Sequence, residues 1–322
     1  MVSLTFDDAN PADGKAFSLA HISDPHISCI EDIQPGQLLN KRLFGYLKWR
    51  LHRAAEHHDG ILTALQHDLA ETRPDHIAVT GDLTHLSLPS EFRKSRQWLD
   101  SLGGPDRVTA IPGNHDTYVK TNWQQSLAHW TPYMLSDGAE SDKSPASGLD
   151  GIFPSLRLRG RVALICISTA VPTAPHLATG TIGKPQLQKL EALMAESAGR
   201  NLFRTMLIHH PPAPGTVSWR KRLTDASALE SLLGRYGAEL VLHGHAHTAD
   251  LNKLRTPDGD VAVIGIPSAS ALGRTPRRRA RYIIYHITPH ASGWYLRLEV
   301  RLYTPGENRF IEEHEHPFSR LS

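Results

Sequence analysis

Only two cysteines, Cys29 and Cys166, occur among the 322 residues. They have neither the density of a disulfide scaffold nor the spacing of a thiolate metal site, and so few thiols suit a reducing compartment. A charge excess of one sign is also missing: 35 Lys and Arg oppose 33 Asp and Glu, for a formal +2. That balance offers no long positive track for an extended nucleic acid, so any basic recognition must be local. No apolar run approaches the roughly 20 residues of a membrane-spanning helix. Residues 1–15 carry Asp7, Asp8 and Asp13 and no apolar segment of the secretory type, so the expected location is cytoplasmic. An apolar share of 40% and an aromatic share of 7% are ordinary for a globular chain, which excludes fibrous and disordered classes. The length favours one large α/β domain over 1–322, with the chemistry-bearing segments in 16–250.

What the chain does have is histidine, 20 of them, and the informative ones stand at the ends of strand-like runs. Residues 17–23 read as a strand that delivers Asp24-Pro25-His26. The run 76–80 ends in Gly81-Asp82, and 108–111, rich in β-branched residues, ends in Pro112-Gly113-Asn114-His115-Asp116. Residues 202–208 deliver His209-His210-Pro211-Pro212, where two prolines stop the strand and hold the preceding backbone extended. Residues 239–242 end in His243-Gly244-His245-Ala246-His247. Helical patterns over 90–102, 184–197 and 225–233 lie between strands, which argues for a parallel or mixed sheet covered by helices. The run 162–167 is the most apolar and reads as a central strand, and 251–322 is expected to supply C-terminal strands that complete a second sheet.

Two basic stretches stand apart from this pattern. Residues 37–58 space Leu39, Leu43, Leu47, Leu51 and Ala55 four apart, with Lys41, Arg42, Lys48, Arg50 and Arg53 among them. That spacing predicts an amphipathic helix, read either as plain surface or as a lid with Phe44, Tyr46 and Trp49 that faces a lipid-like substrate or a membrane. His52, His57, His58 and His67 read as polar residues of helical surface in and beyond it. The link carrying Arg274, Arg277, Arg278, Arg279 and Arg281 reads as a solvated hairpin or as a grip on a second anionic group. Apolar faces allow a homodimer, though no residue pattern demands one.

Five successive strand ends thus carry oxygen and nitrogen ligands without a thiolate, too many for one ion, which suggests two adjacent divalent or trivalent metals such as Mn, Fe or Zn. The order Asp24-Pro25-His26, Gly81-Asp82, Gly113-Asn114-His115-Asp116, His209 and Gly244-His245-Ala246-His247 resembles the calcineurin-like metallophosphoesterase family. The stretches Thr80-Gly81-Asp82-Leu83-Thr84 and His209-His210-Pro211-Pro212 are similar to the bacterial branch of cyclic-nucleotide and glycerophosphodiester phosphodiesterases. The resemblance implies two facing mixed β-sheets covered by helices in four layers. It also implies that Asp24, His26 and His247 hold one metal, that Asn114, His209 and His245 hold the other, and that Asp82 bridges them. A bridging hydroxide would attack phosphorus, with His115 assisting the leaving oxygen and Asp116 fixing the tautomer of His115. His210, Arg277 and Arg278 are candidate substrate contacts. The basic helix looks like an insertion relative to compact members of that branch, which argues against a small cyclic nucleotide. A pyrophosphatase acting on a nucleotide-linked lipid is therefore kept as the alternative, beside a small phosphoester substrate.

Overall fold

In the computed structural model, residues 2–5, 16–29, 33–38, 40–48, 56–139, 148–257, 259–291 and 293–314 are described. The first half runs β1 (Val2–Thr5), β2 (Phe17–Ile22), α1 (Arg42–Lys48), α2 (Asp59–Thr72), β3 (His76–Val79), α3 (Pro89–Leu102), β4 (Val108–Ala110) and α4 (Thr131–Met134). It continues through β5 (Ser155–Arg159), β6 (Val162–Cys166), α5 (Lys184–Ser197), β7 (Phe203–Leu207), α6 (Ala226–Tyr236) and β8 (Leu240–His243). The last five strands are β9 (Asp250–Thr256), β10 (Gly259–Gly265), β11 (Arg281–His290), β12 (Gly293–Thr304) and β13 (Arg309–Glu312).

The strands form two mixed sheets, as expected. One has seven strands in the order β1-β12-β11-β2-β3-β4, with β13 paired to β12, and the other has six in the order β5-β6-β7-β8-β10-β9. In the second sheet β6, β7, β8 and β10 run parallel, and the antiparallel strands β5 and β9 form its edges. Side chains along the central strands alternate between two apolar layers, as a period of two requires. Leu164, Cys166, Leu207, Leu242 and Ile264 point into a core shared with Leu19, Ile283 and Tyr285 of the first sheet. Ile165, Met206, Val241 and Val263 point the other way, under Leu190 and Met194 of α5 and Leu229 and Leu233 of α6. Helices α2 and α3 cover the first sheet with Ile61, Leu65, Phe92 and Leu99.

The C-terminal strands do not all complete the second sheet. β9 and β10 do so, whereas β11, β12 and β13 join the first. β11 is buried along most of its length, so it needs a partner on each side. It finds β2 on one side, with Ile283 opposite His21 and Ile287 opposite Phe17, and β12 on the other. Residues 2–5, to which the sequence assigned no element, pair in parallel with β12. Of the helix expected over 37–58, α1 is described, and 49–55 lie outside the described residues. No helix among the described residues is long and apolar enough to cross a membrane.

This architecture brings the five strand ends together. β2, β3 and β4 are mutually parallel, and so are β7 and β8, so their C-terminal ends emerge on common edges of the two facing sheets. Ligand sites of open α/β sheets form at such carboxyl ends. The loops beyond are then stitched across: Asp24 N–H donates to Gly81 O at 3.0 Å, His26 N–H to Asp82 O at 3.1 Å, and Gly244 N–H to His209 O at 3.2 Å.

Candidate metal centre

The backbone turns sharply where each strand ends. Asp24, His26, Asp82, His245 and His247 hold φ between 47° and 65°, the left-handed region. For residues other than glycine that costs about 1–2 kcal/mol each, so the surrounding fold imposes the strain, and strain of this kind gathers at functional sites. Glycines make room for the crowding. A Cβ on Gly113 would lie 2.3 Å from Asp82 Oδ1, and one on Gly244 would lie 1.8 Å from Ser23 Oγ.

The donors fall into two groups with a common member. Asp24, His26, Asp82 and His247 each offer an atom within 4.8 Å of the others, and so do Asp82, His209 and His245. Asn114 joins the second group, with Oδ1 3.2 Å from His209 Nε2. Most of these side chains are buried: Asp24 and His209 are fully enclosed, and Asp82, His26, His245 and Asn114 are nearly so.

Carbonyl oxygens set the ring tautomers, because a carbonyl can only accept. His209 Nδ1 donates to Thr80 O at 2.7 Å, His26 Nδ1 to Thr84 O at 3.3 Å, and His245 Nε2 to Lys221 O at 3.0 Å. His26 and His245 therefore turn a lone pair toward the cluster, the form that binds metal, and on His209 it is Nε2 that faces the cluster. Burial, reinforced by neighbouring imidazoles, holds His26 and His245 well below the usual histidine range, so both stay neutral. Burial opposes a proton on His209, but Asp82, with Oδ2 3.4 Å away, outweighs it and lifts His209 to about 9. Burial likewise opposes ionisation of Asp82, and the charges of His209 and His115 overcome it.

These residues fit a cation. Asp24 Oδ2 accepts from Ser23 Oγ at 2.6 Å and from His245 N–H at 3.0 Å, yet buried Oδ1 has no hydrogen-bond partner. It lies 3.1 Å from His247 Nε2 without hydrogen-bonding geometry, and His26 Nε2 is 3.1 Å from His247 Nε2. A bare carboxylate oxygen beside two converging ring nitrogens is costly when buried, and a shared cation satisfies all three.

His209 joins this centre and His210 does not. His210 is buried, with Nδ1 2.6 Å from Thr169 Oγ1 and Nε2 3.2 Å from Ala178 O, and it belongs to neither donor group. Burial and His209 lower its pKa to about 3. Arg277 and Arg278 sit on an exposed turn after β10 and are not among the residues that line the cavity beside the centre. Arg281 of the same link is fully buried and pairs with Glu313 at 2.6 Å. Asp116 is also reassigned. Its carboxylate accepts from Gly113 N–H and Thr84 N–H at 2.8 Å and from Thr84 Oγ1 at 2.9 Å, which braces the loop. The tautomer of His115 is set by the His85 carbonyl, 2.6 Å from Nδ1.

A cavity of about 390 Å³ opens at the centre, walled by Asn114, His115, His85 and Tyr118 on one side and by Lys221, Arg220 and Lys41 on the others. Tyr118 stacks on the His115 ring at 5.5 Å and 11°. Lys41 Nζ is held by Thr173 and Leu177 and lies 4.5 Å from the Tyr118 ring centre. Sequence reading missed His85, Lys221 and Arg220, which follow no strand end, and placed His57 on helical surface, although it packs against His26.

Such a centre at strand ends between two sheets is of the kind that metal-dependent phosphoric ester hydrolases use. Residues 17–249 match the model of the calcineurin-like phosphoesterases, and the chain belongs to that family. It is 26% identical over 228 residues to a probable cyclic nucleotide phosphodiesterase of Synechococcus, covering 70% of this chain and 76% of that one. It is 27% identical over 238 residues to a cAMP/cGMP dual specificity phosphodiesterase of Mycobacterium tuberculosis, covering 72% and 62%. With a glycerophosphodiester phosphodiesterase of Enterobacter lignolyticus it shares 27% over 196 residues, covering 61% and 57%. The chain therefore spans less than two thirds of the length of the last two. In fold it is similar to a dimetal phosphatase of Danio rerio, with TM-score 0.55 and 15% identity over 90% of this chain and 100% of the other. It is also similar to the purple acid phosphatase of yellow lupin, with TM-score 0.57 and 12% identity over 94% and 54%.

Proposed function

We propose that the chain hydrolyses phosphodiester bonds with two metal ions, of the Mn, Fe or Zn type. One is held by Asp24, His26 and His247, the other by Asn114, His209 and His245. The observation that carries the reading is that Asp82 belongs to both ligand groups. Bound there, a metal pair supplies Lewis acidity to the phosphoryl oxygens and acidifies water at neutral pH.

The chain's own residues do the rest. Asp82 is kept ionised and oriented, with Oδ1 accepting the His115 backbone N–H at 2.7 Å. His115, its Nδ1 tied to the His85 carbonyl, turns Nε2 to the cavity and passes a proton to the leaving oxygen. Lys41, Arg220 and Lys221 on the cavity wall favour a substrate with anionic charge. The relatives named as cyclic nucleotide and glycerophosphodiester phosphodiesterases support diesters as the substrate class.

The test is metal analysis of purified protein, then hydrolysis of bis-p-nitrophenyl phosphate and p-nitrophenyl phosphate after adding back Mn, Fe or Zn. Metal-dependent diester turnover that disappears in Asn114→Ala supports the reading. Protein that takes up metal yet turns over neither ester would sink it.

A second reading, an amphiphilic phosphoester or phosphoanhydride met at a membrane surface, is favoured by the cavity rim. Leu43, Phe44 and Leu47 of α1 are 42%, 56% and 47% exposed, and Trp219, next to Arg220, is 62% exposed. Large apolar groups beside Lys41, Arg220 and Lys221 form the mixture that seats on anionic lipid. If this holds, Phe44→Ser with Trp219→Ser reduces co-sedimentation with anionic vesicles and leaves hydrolysis of soluble diesters intact. Unchanged co-sedimentation removes it.

A further inference from the structure

We propose that His57 is a further ligand of the metal held by Asp24, His26 and His247. The inference rests on the two-metal reading above and adds a residue to it. His57 offers a ring nitrogen which, with one from His26 and one from His247, forms a third group whose members lie within 4.8 Å of one another. His26 and His247 belong both to this group and to the one with Asp24 and Asp82. An ion between their Nε2 atoms therefore lies within reach of both the carboxylates and His57. The His57 ring meets His26 edge-on, with centroids 4.8 Å apart at 63°, and lies 6.0 Å from the His247 ring.

A chain of hydroxyls prepares the His57 ring for that role. Ser268 Oγ lies 2.5 Å from the Asp24 carbonyl, which can only accept, so its proton is committed there. It then accepts from Ser270 Oγ at 3.2 Å, and Ser270 Oγ in turn accepts from His57 Nδ1 at 2.8 Å. Nε2 keeps its lone pair, the ligand form of imidazole. The backbone around His57 is latched to the same serine segment. His58 N–H donates to Ser270 O at 3.0 Å, and Leu272 N–H to Glu56 O at 2.8 Å. His57 thus reaches the centre from the segment just before α2, outside the five strand-end loops that hold the other ligands. An added imidazole shifts that position toward metals such as Zn, Fe or Co and away from all-oxygen preferences.

The test uses the full-length protein stripped of metal and titrated with Co(II), followed by visible absorption and equilibrium binding. Wild type is expected to take up about two equivalents. His57→Ala weakens one of the two binding steps by about 10–100-fold or more, changes the Co(II) spectrum of that step and leaves the other intact. Ser270→Ala gives a smaller weakening of the same step. His57→Gln serves as the second variant if circular dichroism shows that the alanine form is unfolded. Titrations and spectra of both His57 variants that superimpose on wild type overturn the proposal. A wild-type protein that binds fewer than about two Co(II) overturns the two-metal reading itself, so the two failures are distinct.

Discussion

The carbonyl oxygen of His85 lies 2.6 Å from Nδ1 of His115. A main-chain atom that can only accept thus holds the ring of the proposed acid, and the Tyr118 ring stacks on its face. The holder is a carbonyl and carries no net charge, so this hydrogen bond does not itself titrate. The first three predictions concern this centre.

Removing the acid should matter most where the leaving group needs a proton. His115→Ala is expected to lower diester turnover by about 10²–10⁴-fold with an alkoxide leaving group and by much less with p-nitrophenolate, at unchanged metal content. The check is kcat against leaving-group pKa; a uniform loss across the series would contradict the assignment.

Asp116 should behave as a brace. Asp116→Ala strands the buried backbone N–H groups of Leu83, Thr84 and Gly113, which is expected to cost about 2–4 kcal/mol in stability. Urea denaturation measures the loss. In the folded fraction the dependence on leaving group should match wild type.

Metal removal should lower both stability and activity. The buried Asp24 Oδ1 and its facing ring nitrogens gain most from a cation, so a chelator is expected to reduce the melting temperature. At free metal about 100-fold above the dissociation constant, binding adds about 2.7 kcal/mol, which re-addition of metal recovers. Calorimetry with and without chelator reads the difference.

Glu91 makes a pH-dependent contribution beneath the loop that carries His85. It is fully enclosed, and burial lifts its pKa to about 7 although Leu86 and Leu88 N–H groups donate to Oε2 at 2.8 and 2.9 Å. A raised carboxyl stabilises the fold fully below its unfolded value and loses that contribution as pH climbs through about 7. Wild type is therefore expected to lose up to about 3 kcal/mol relative to Glu91→Gln between about pH 4.5 and pH 8. Parallel stability curves for the two proteins over that range would remove the idea.

The ligand blocks were legible because each is a local signal. An apolar run ending in Gly81-Asp82 or Gly244-His245 announces a strand and its exit within a few residues. The same local logic chose His209 over His210, since His209 is the first polar residue off β7. It failed for Asp116, whose position beside His115 suggested a partnership that the turn geometry redirects to Thr84 and Gly113. The placement of Arg277 and Arg278 away from the cavity was hidden for a similar reason: a run of charge says nothing about which way its turn faces. The division of the last strands between two sheets was also hidden, because pairing of β11 with β2 joins residues more than 250 apart, such as Ile283 and His21.

The sequence by itself thus determined the strand order of the candidate ligands, their oxygen and nitrogen character and the family that the chain belongs to. Those properties depend on residue type and on spacing along the chain. Only the tertiary structure decided that Asp82 falls in both ligand groups, that His85 orients His115, that Lys41 and Lys221 share one cavity wall system, and that His57 reaches the centre. Each of these joins segments distant in the chain, and their meeting depends on sheet register and on how two sheets pack across a common core, which no short stretch of sequence records.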